Sequence, residues 1–131
     1  MKEIIVKTHN KNEMIDITRQ IEEILRNEKI DSGILTVFVP HTTAGVTINE
    51  GADPDVKTDI LNSLNKKIPE NENYKHMEGN SDAHIKSSLI GSSVNIIINN
   101  GGLVLGTWQH VFFFEGDGPR SRKVFVEIMK K

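Results

Sequence analysis

Four short stretches of this sequence gather the side chains able to do chemistry, and four of its five histidines fall in three of them. In the first, Pro40-His41-Thr42-Thr43-Ala44, Pro40 ends an apolar run and leaves His41 at its mouth. An imidazole there serves as a ligand, as a general base, or merely as a surface histidine at a turn. In the second, Asn49-Glu50-Gly51-Ala52-Asp53-Pro54-Asp55, three carboxylates and an amide occupy one turn. Asp53 reads there as a helix cap and Asp55 as a charge that complements the helix dipole. The alternative is that Glu50 and Asp53 are metal ligands or an acid–base pair.

The third stretch, His76 to Ser88, sets two histidines eight residues apart around a glycine-containing loop. This is not the HExxH helical spacing, but a loop can fold His76 and His84 onto one ion with His41 or Asp53 as third ligand. Imidazole and carboxylate together suit zinc or another divalent metal. Lys86, Ser87 and Ser88 bind an anion or simply begin a short helix. The fourth runs from Gly106 through Gln109 and Glu115 to Arg120. On a strand, Gln109 and Glu115 share a face but stand about 20 Å apart, at roughly 3.3 Å per residue. His110 lies on the other face with Trp108, Phe112 and Phe114 and reads as a packing or interface histidine. Arg120, just after Gly116-Asp117-Gly118-Pro119, is either a bidentate phosphate contact or a solvated arginine at a hairpin tip.

Composition narrows the chemistry. The chain has 131 residues and no cysteine, which excludes disulfides, thiolate metal sites and a cysteine nucleophile. Any metal must be held by nitrogen and oxygen alone. A formal net charge of −2, from 16 basic and 18 acidic residues, argues against a nucleic-acid partner. No GxSxG elbow, P-loop or GxGxxG fingerprint follows a strand, which disfavours serine hydrolases, kinases and Rossmann dehydrogenases. The N-terminal apolar run Ile4-Ile5-Val6 is too short for a signal core or membrane span. We expect a soluble cytoplasmic protein with no membrane partner.

The elements that must position these residues are mostly strands. Ile and Val number 27 against seven Leu, a β-branched excess that favours sheet. Strands are expected at Glu3–Thr8, Ile34–Val39, Ala44–Asn49, Ser93–Ile98, Leu103–Leu105, Trp108–Glu115 and Lys123–Met129. One helix, capped by Asp16, runs to about Lys29 with Ile17, Ile21, Ile24 and Leu25 on one stripe. A second begins at Pro54 after Asp53, presents Val56, Ile60, Leu61 and Leu64, and is closed by Pro69. Asn99-Asn100-Gly101-Gly102 is the strongest hairpin signal, and Gly116–Pro119 a second. The polar stretch from Pro69 to Ser81 reads as a long loop. The expected fold is one α+β domain over residues 1–131, a mostly antiparallel β-sandwich with two main helices. Ile96-Ile97-Ile98 and Phe112-Phe113-Phe114 are apolar on both faces, so the sheet is either double-layered or covered by another subunit; we expect an oligomer.

Three segments in order, HTTAGVTINEGADPDV, DAHIKSSLIGSSV and LGTWQHVFFFEGDGPRSRKV, closely resemble the secondary thiamine-phosphate synthase, or YjbQ-like, family over essentially the whole chain. The resemblance implies a compact α+β sandwich and a homotrimer. It also implies coupling of hydroxymethylpyrimidine diphosphate to thiazole phosphate with release of pyrophosphate. The match carries over His41, Asn49, Glu50, Asp53, Asp55, His76, His84, Lys86, Ser87, Gln109, Glu115 and Arg120, whereas His110 falls where the motif requires no histidine. On this basis we assign His41, Glu50 and Glu115 to catalysis. Asn49, Lys86, Ser87, Gln109 and Arg120 would bind a small phosphorylated or anionic substrate. Asp53, His76 and His84 would hold a divalent metal (Zn, Mn or Mg). The rivals are a metal-dependent hydrolase of a phosphorylated or cyclic small molecule and a non-catalytic trimer that binds a metal or anion.

Overall fold

The computed structural model of the chain describes residues 1–131. Strand β1 (Lys2–Lys7) is followed by a short β2 (Glu13–Asp16) and helix α1 (Thr18–Glu28). Next come β3 (Gly33–Phe38), β4 (Ala44–Glu50), α2 (Pro54–Lys67) and α3 (Ser81–Ile90). The chain ends with β5 (Ser93–Asn99), β6 (Gly102–Leu103), β7 (Gln109–Glu115) and β8 (Ser121–Lys130). The strands form a five-stranded sheet in the order β1-β8-β3-β5-β6 and a three-stranded sheet in the order β2-β7-β4, with every pairing antiparallel. No helix is long and apolar enough to cross a membrane.

The two sheets bury their facing sides against each other. Leu35, Val37, Ile96, Ile98, Val124 and Val126 of the larger sheet pack with Val46, Val111 and Phe113 of the smaller, and the Ile17–Ile21–Leu25 stripe of α1 joins them. Asp53 caps α2 as expected, accepting the Asp55 N–H at 2.9 Å. Asp16 is not the residue that opens α1. It ends β2, and Ile17 takes the cap position while the Asp16 carboxylate receives both the N–H and the hydroxyl of Thr18. The Asn99–Gly102 hairpin forms with Asn100 and Gly101 at φ of 51° and 75°, the left-handed pair that a tight two-residue turn requires.

Helix α3 is the main addition to the expected elements. Together with α2 it covers the outer side of the three-stranded sheet, where Met14, Phe112 and Phe114 meet Ile60, Leu61, Leu64 and Ile90. The two-faced Phe112–Phe114 run is therefore buried by the chain's own helices, giving three layers and needing no second subunit there. Ile97 is different: it stays 57% exposed on the outer face of the five-stranded sheet, with Ile34 and Met129 as neighbours across the ladder.

Two local devices hold these layers in place. The end of α3 is stitched to β4 by the Val46 N–H donating to Gly91 O at 3.0 Å. That approach requires glycine at 45, because a Cβ there would lie 2.5 Å from Gly91 O. At the crossing from the small sheet to the large one, Glu115 ends β7 and Arg122 is the second residue of β8, 0% and 3% exposed. Arg122 Nε donates to Glu115 Oε1 at 2.9 Å and its Nη2 donates to Oε2. The Thr8 hydroxyl and the Asp117 N–H complete the carboxylate's partners, each at 2.9 Å. Burial alone pushes the Glu115 pKa up, but the hydrogen bonds from Arg122, Asp117 and Thr8 outweigh it, so the net shift is downward.

Two predictions follow from these devices. Gly45→Val should lever α3 off the sheet and cost about 1–3 kcal/mol, read as a lower urea midpoint. Glu115→Gln should cost about 3–5 kcal/mol by leaving a buried guanidinium unpaired. Because the folded pKa of Glu115 lies below its unfolded value, its contribution is fully present above the unfolded pKa, near ~4.3, and is lost as pH falls through the folded value. Urea midpoints taken downward from neutral pH should therefore drop more steeply below pH ~4.3 in the wild type than in Glu115→Gln.

Candidate functional site

The mouth of β4 and the exposed side of α3 form a cleft of about 380 Å³, lined by His41, Thr42, His84, Ser87, Ser88 and Ser92 with the Gly91 backbone. One helical turn separates His84 from Ser88, and the 3.6-residue period puts Ser87 and Gly91 on the same side. The Gly45–Gly91 approach holds that side against the loop carrying His41. Ser87 is 7% exposed and its Oγ is buried without a hydrogen-bond partner, an arrangement that a bound acceptor or donor would complete.

His41 is held as a donor. Its Nε2 accepts the Lys123 backbone N–H at 3.0 Å. Burial, and then the charge of Arg122, hold its pKa below the usual histidine range, so the ring is neutral at pH 7 with the proton on Nδ1. The expected general base is corrected accordingly: its lone pair is spent on the backbone, and the ring has an N–H to give. Arg120 lies close enough that its charge also weighs on His41. The Arg120 side chain is steadied by Asp117, with Nε donating to the backbone O at 3.0 Å and Nη2 to Oδ2 at 3.2 Å. Asp117 also accepts from Asn80 Nδ2 at 3.0 Å, and Asn80 Oδ1 meets His76 Nε2 at 3.1 Å. A hydrogen-bonded chain thus runs from Arg120 to His76, whose ring stands edge-on to His84 with centroids 5.4 Å apart.

His76 and His84 come together as expected, but Asp53 does not join them. It is engaged in capping α2, and no three His, Asp or Glu side chains converge in a way that could hold a metal ion. Two imidazoles set at 85°, one with its Nε2 directed at Asn80, do not make the three-ligand cage that a divalent ion needs. Within one copy this donor set does not fit a resident metal.

Two further residues take structural roles. Glu115 is enclosed by Arg122, Thr8 and Asp117 and has no oxygen to offer a substrate. Lys86, 1% exposed, points under the cleft instead of into it: Nζ donates to Asn65 Oδ1 at 2.6 Å and Asn12 Oδ1 at 3.2 Å, with Asp82 Oδ2 at 3.5 Å. Burial pushes the Lys86 pKa down. Burial also pushes the Asp82 carboxyl up, but the hydrogen bond and charge of Lys11, then the charge of Lys86, bring it below the usual range.

Asn49, Glu50 and Gln109 lie at the opposite end of the β4–β7 ladder, where Glu50 pairs with Gln109 while Ala44 pairs with Glu115. Their oxygens are partly used locally. Asn49 Oδ1 accepts the Glu50 N–H, Glu50 Oε2 accepts the Ala52 N–H, and Gln109 Oε1 accepts the Gly106 N–H. The free groups at this end are two carboxamide NH2 groups and one carboxylate oxygen. Beside them lies a polar hollow of about 930 Å³ containing a pair that sequence reasoning missed, His110 Nδ1 to Asp16 Oδ2 at 2.5 Å. The His110 ring rests on Gly51, where a Cβ would lie 2.1 Å from the ring. His110 is thus not packed among the aromatics. A carboxylate on the strand that pairs with β7 is the signal for it, and that strand, β2, was not expected.

Comparison with known proteins agrees with the fold and the motifs. The profile described as UPF0047 protein YjbQ-like matches residues 2–131. A UPF0047 protein of Methanocaldococcus jannaschii is 55% identical, with 95% of this chain and 90% of that protein covered. UPF0047 protein YugU of Bacillus subtilis is 50% identical, with 98% of each covered. Among solved structures, an uncharacterized YjbQ/UPF0047 protein of Clostridium acetobutylicum superposes with a TM-score of 0.97 at 55% identity, covering 98% of this chain and all of that one. A protein of unknown function from Sulfolobus solfataricus gives 0.95 at 34% identity, covering 99% and 96%. This chain belongs to the YjbQ-like UPF0047 family.

Proposed function

We propose that the chain is a cytoplasmic transferase that joins hydroxymethylpyrimidine diphosphate to thiazole phosphate and releases pyrophosphate. The observation that carries this reading is the donor character of the cleft: the neutral His41 N–H, the unpartnered Ser87 hydroxyl and the nearby Arg120 guanidinium. Neutral donors lining a hollow, with a guanidinium nearby, suit phosphate oxygens. The motif resemblance to thiamine-phosphate synthases supplies the particular substrates.

The reaction asks for such groups. The thiazole nitrogen attacks the pyrimidine's exocyclic methylene with its own lone pair, the C–O bond to the diphosphate breaks, and pyrophosphate leaves with the bonding electrons. No proton has to be removed from the nucleophile, so a histidine fixed as a donor is better placed than a base. Negative charge grows on the departing oxygens, and His41, Ser87 and Arg120 are the groups that stabilise it. The carboxamide NH2 groups of Asn49 and Gln109 and the free oxygen of Glu50 suit the aminopyrimidine edge, which presents both acceptors and a donor.

The apolar residues left on the outer face of the five-stranded sheet, Ile34, Phe38, Ile97 and Met129 among them, support a homo-oligomer, and we propose a trimer. Light scattering on the purified protein should give three times the chain mass, and a monomer would overturn this assignment.

For the reaction, purified protein supplied with both substrates should produce thiamine phosphate and pyrophosphate in equal amounts. His84→Ala and Ser87→Ala should each lower turnover by about 10²–10³ while keeping the wild-type circular dichroism and mass. Unaltered turnover in both variants would remove the cleft from the mechanism. Release of inorganic phosphate without a coupled product would point to a hydrolase instead.

A further inference from the structure

The residues that suit a phosphorylated pyrimidine lie at two poles of one chain. His41, His84 and Ser87 stand at the Ala44–Glu115 end of the β4–β7 ladder, and Asn49, Glu50 and Gln109 stand at the other. Six residue steps separate the two pairings, about 20 Å along the strand. The strand between the poles carries Val111 to Phe114, buried on both faces, so no shorter path through the molecule joins them. Neither pole suffices alone: the first offers donors for phosphate and little for a ring, and the second the reverse.

We propose that the site is completed between copies of this chain, the His41–His84–Ser87 cleft of one copy being closed by the Glu50–Gln109 edge of the next. The proposal rests on the phosphate-binding reading of the cleft given above. Each pole carries an apolar group left in water beside its polar ones. On α3, Leu89 is 69% exposed one position after Ser88, and Ile85 is exposed one position after His84. At the other pole Trp108, next to Gln109, is 61% exposed. Trp is the side chain that most often anchors a protein interface.

The charges of the two poles also match. The cleft side carries the cations Arg120, paired with Asp117, and Lys123, while the opposite edge is acidic on balance, with Asp16, Glu22, Glu23, Glu50 and Asp53 against Arg19. A contact between two different patches repeats head to tail, and in the proposed trimer it closes into a ring, so every copy gives one pole and receives the other. Such a ring makes one complete site per interface and none within a lone chain.

Complementation tests this directly. His84→Ala and Glu50→Ala are each expected to be inactive alone. Co-expressed in equal amounts, they should recover about a quarter of wild-type turnover, because that share of interfaces pairs an intact His84 with an intact Glu50. A mixture as inactive as its parents would place the site within one chain and overturn the proposal.

A second measurement needs no activity. The chain has no cysteine, so Leu89→Cys and Thr107→Cys introduce single reactive positions. Treated with a short bis-maleimide, a mixture of the two variants should give a dimer cross-linked between positions 89 and 107, each variant alone should give none, and the double variant should give covalent rings. Linkage through position 89 alone, or no linkage in an oligomer, would overturn the proposed contact. If the 89–107 link forms but wild-type protein makes no thiamine phosphate, the shared interface stands and the synthase reading falls.

Discussion

The arrangement of the cleft depends on one buried ion pair. Glu115 and Arg122 close the corner where the chain leaves the three-stranded sheet and enters the five-stranded one. Two charges so buried are tolerable only when every oxygen and N–H finds a partner. The carboxylate therefore draws in Thr8 at the end of β1 and the Asp117 backbone, while Arg122 Nη2 reaches Thr43 Oγ1 at 2.9 Å beside the mouth of β4. Asp117 then orients Arg120 and, through Asn80, His76. Arg122 also helps to keep His41 neutral. Most groups around the cleft are thus fixed by the need to satisfy a pair that itself never meets a substrate.

A second buried group works in the same way beneath α3. Lys86 and Asp82 lie one helical turn apart on the buried side of the helix, and Lys11, Asn12 and Asn65 arrive from the β1–β2 connection and from α2 to satisfy them. Asp82 Oδ1 remains buried without a partner. This polar anchoring ties α3 down from below while Gly45 lets it approach from the side, so the helix holds His84, and the buried Ser87 beside it, at a fixed distance from His41. The helix has no strong apolar stripe to place it, because Ser81, Asp82, Lys86 and Ser87 make up most of its buried side.

That absence explains what the sequence did and did not disclose. Elements held by apolar periodicity were legible: β1, β3, β4, β5, β7 and β8 fall within a residue or two of their expected limits, and α2 begins at the expected proline. Strand β2 is four residues long and was absorbed into the expected start of α1, since an aspartate before an apolar stripe reads as a cap. Helix α3 could only be suspected, its buried face being polar. The candidate site divides along similar lines. His41 and His84 were recognisable from residue type, but the tautomer of His41 is set by the Lys123 backbone on a strand 82 residues away. Glu115 and Lys86 look like site residues in sequence because ionisable groups attract that reading. The counter-signals were present: a glutamate ending an unbroken apolar strand, and an Asp82–Lys86 spacing of one helical turn.

The same physics explains why the polar groups gather at two poles. A strand with one face in solvent can carry functional side chains anywhere along its exposed side. Strand β7 has no such side, because the sandwich core takes Val111 and Phe113 while α2 and α3 cover Phe112 and Phe114. An ionisable group placed mid-strand would be buried without water on either face, a position tolerated only with complete pairing. Polar groups are therefore pushed to the ends, where Gln109 reaches solvent and Glu115 finds Arg122. Covering both faces of the small sheet gives this short chain a dense core. It also divides the exposed polar groups into two sets, which no motion short of unfolding the strand can bring together within one copy.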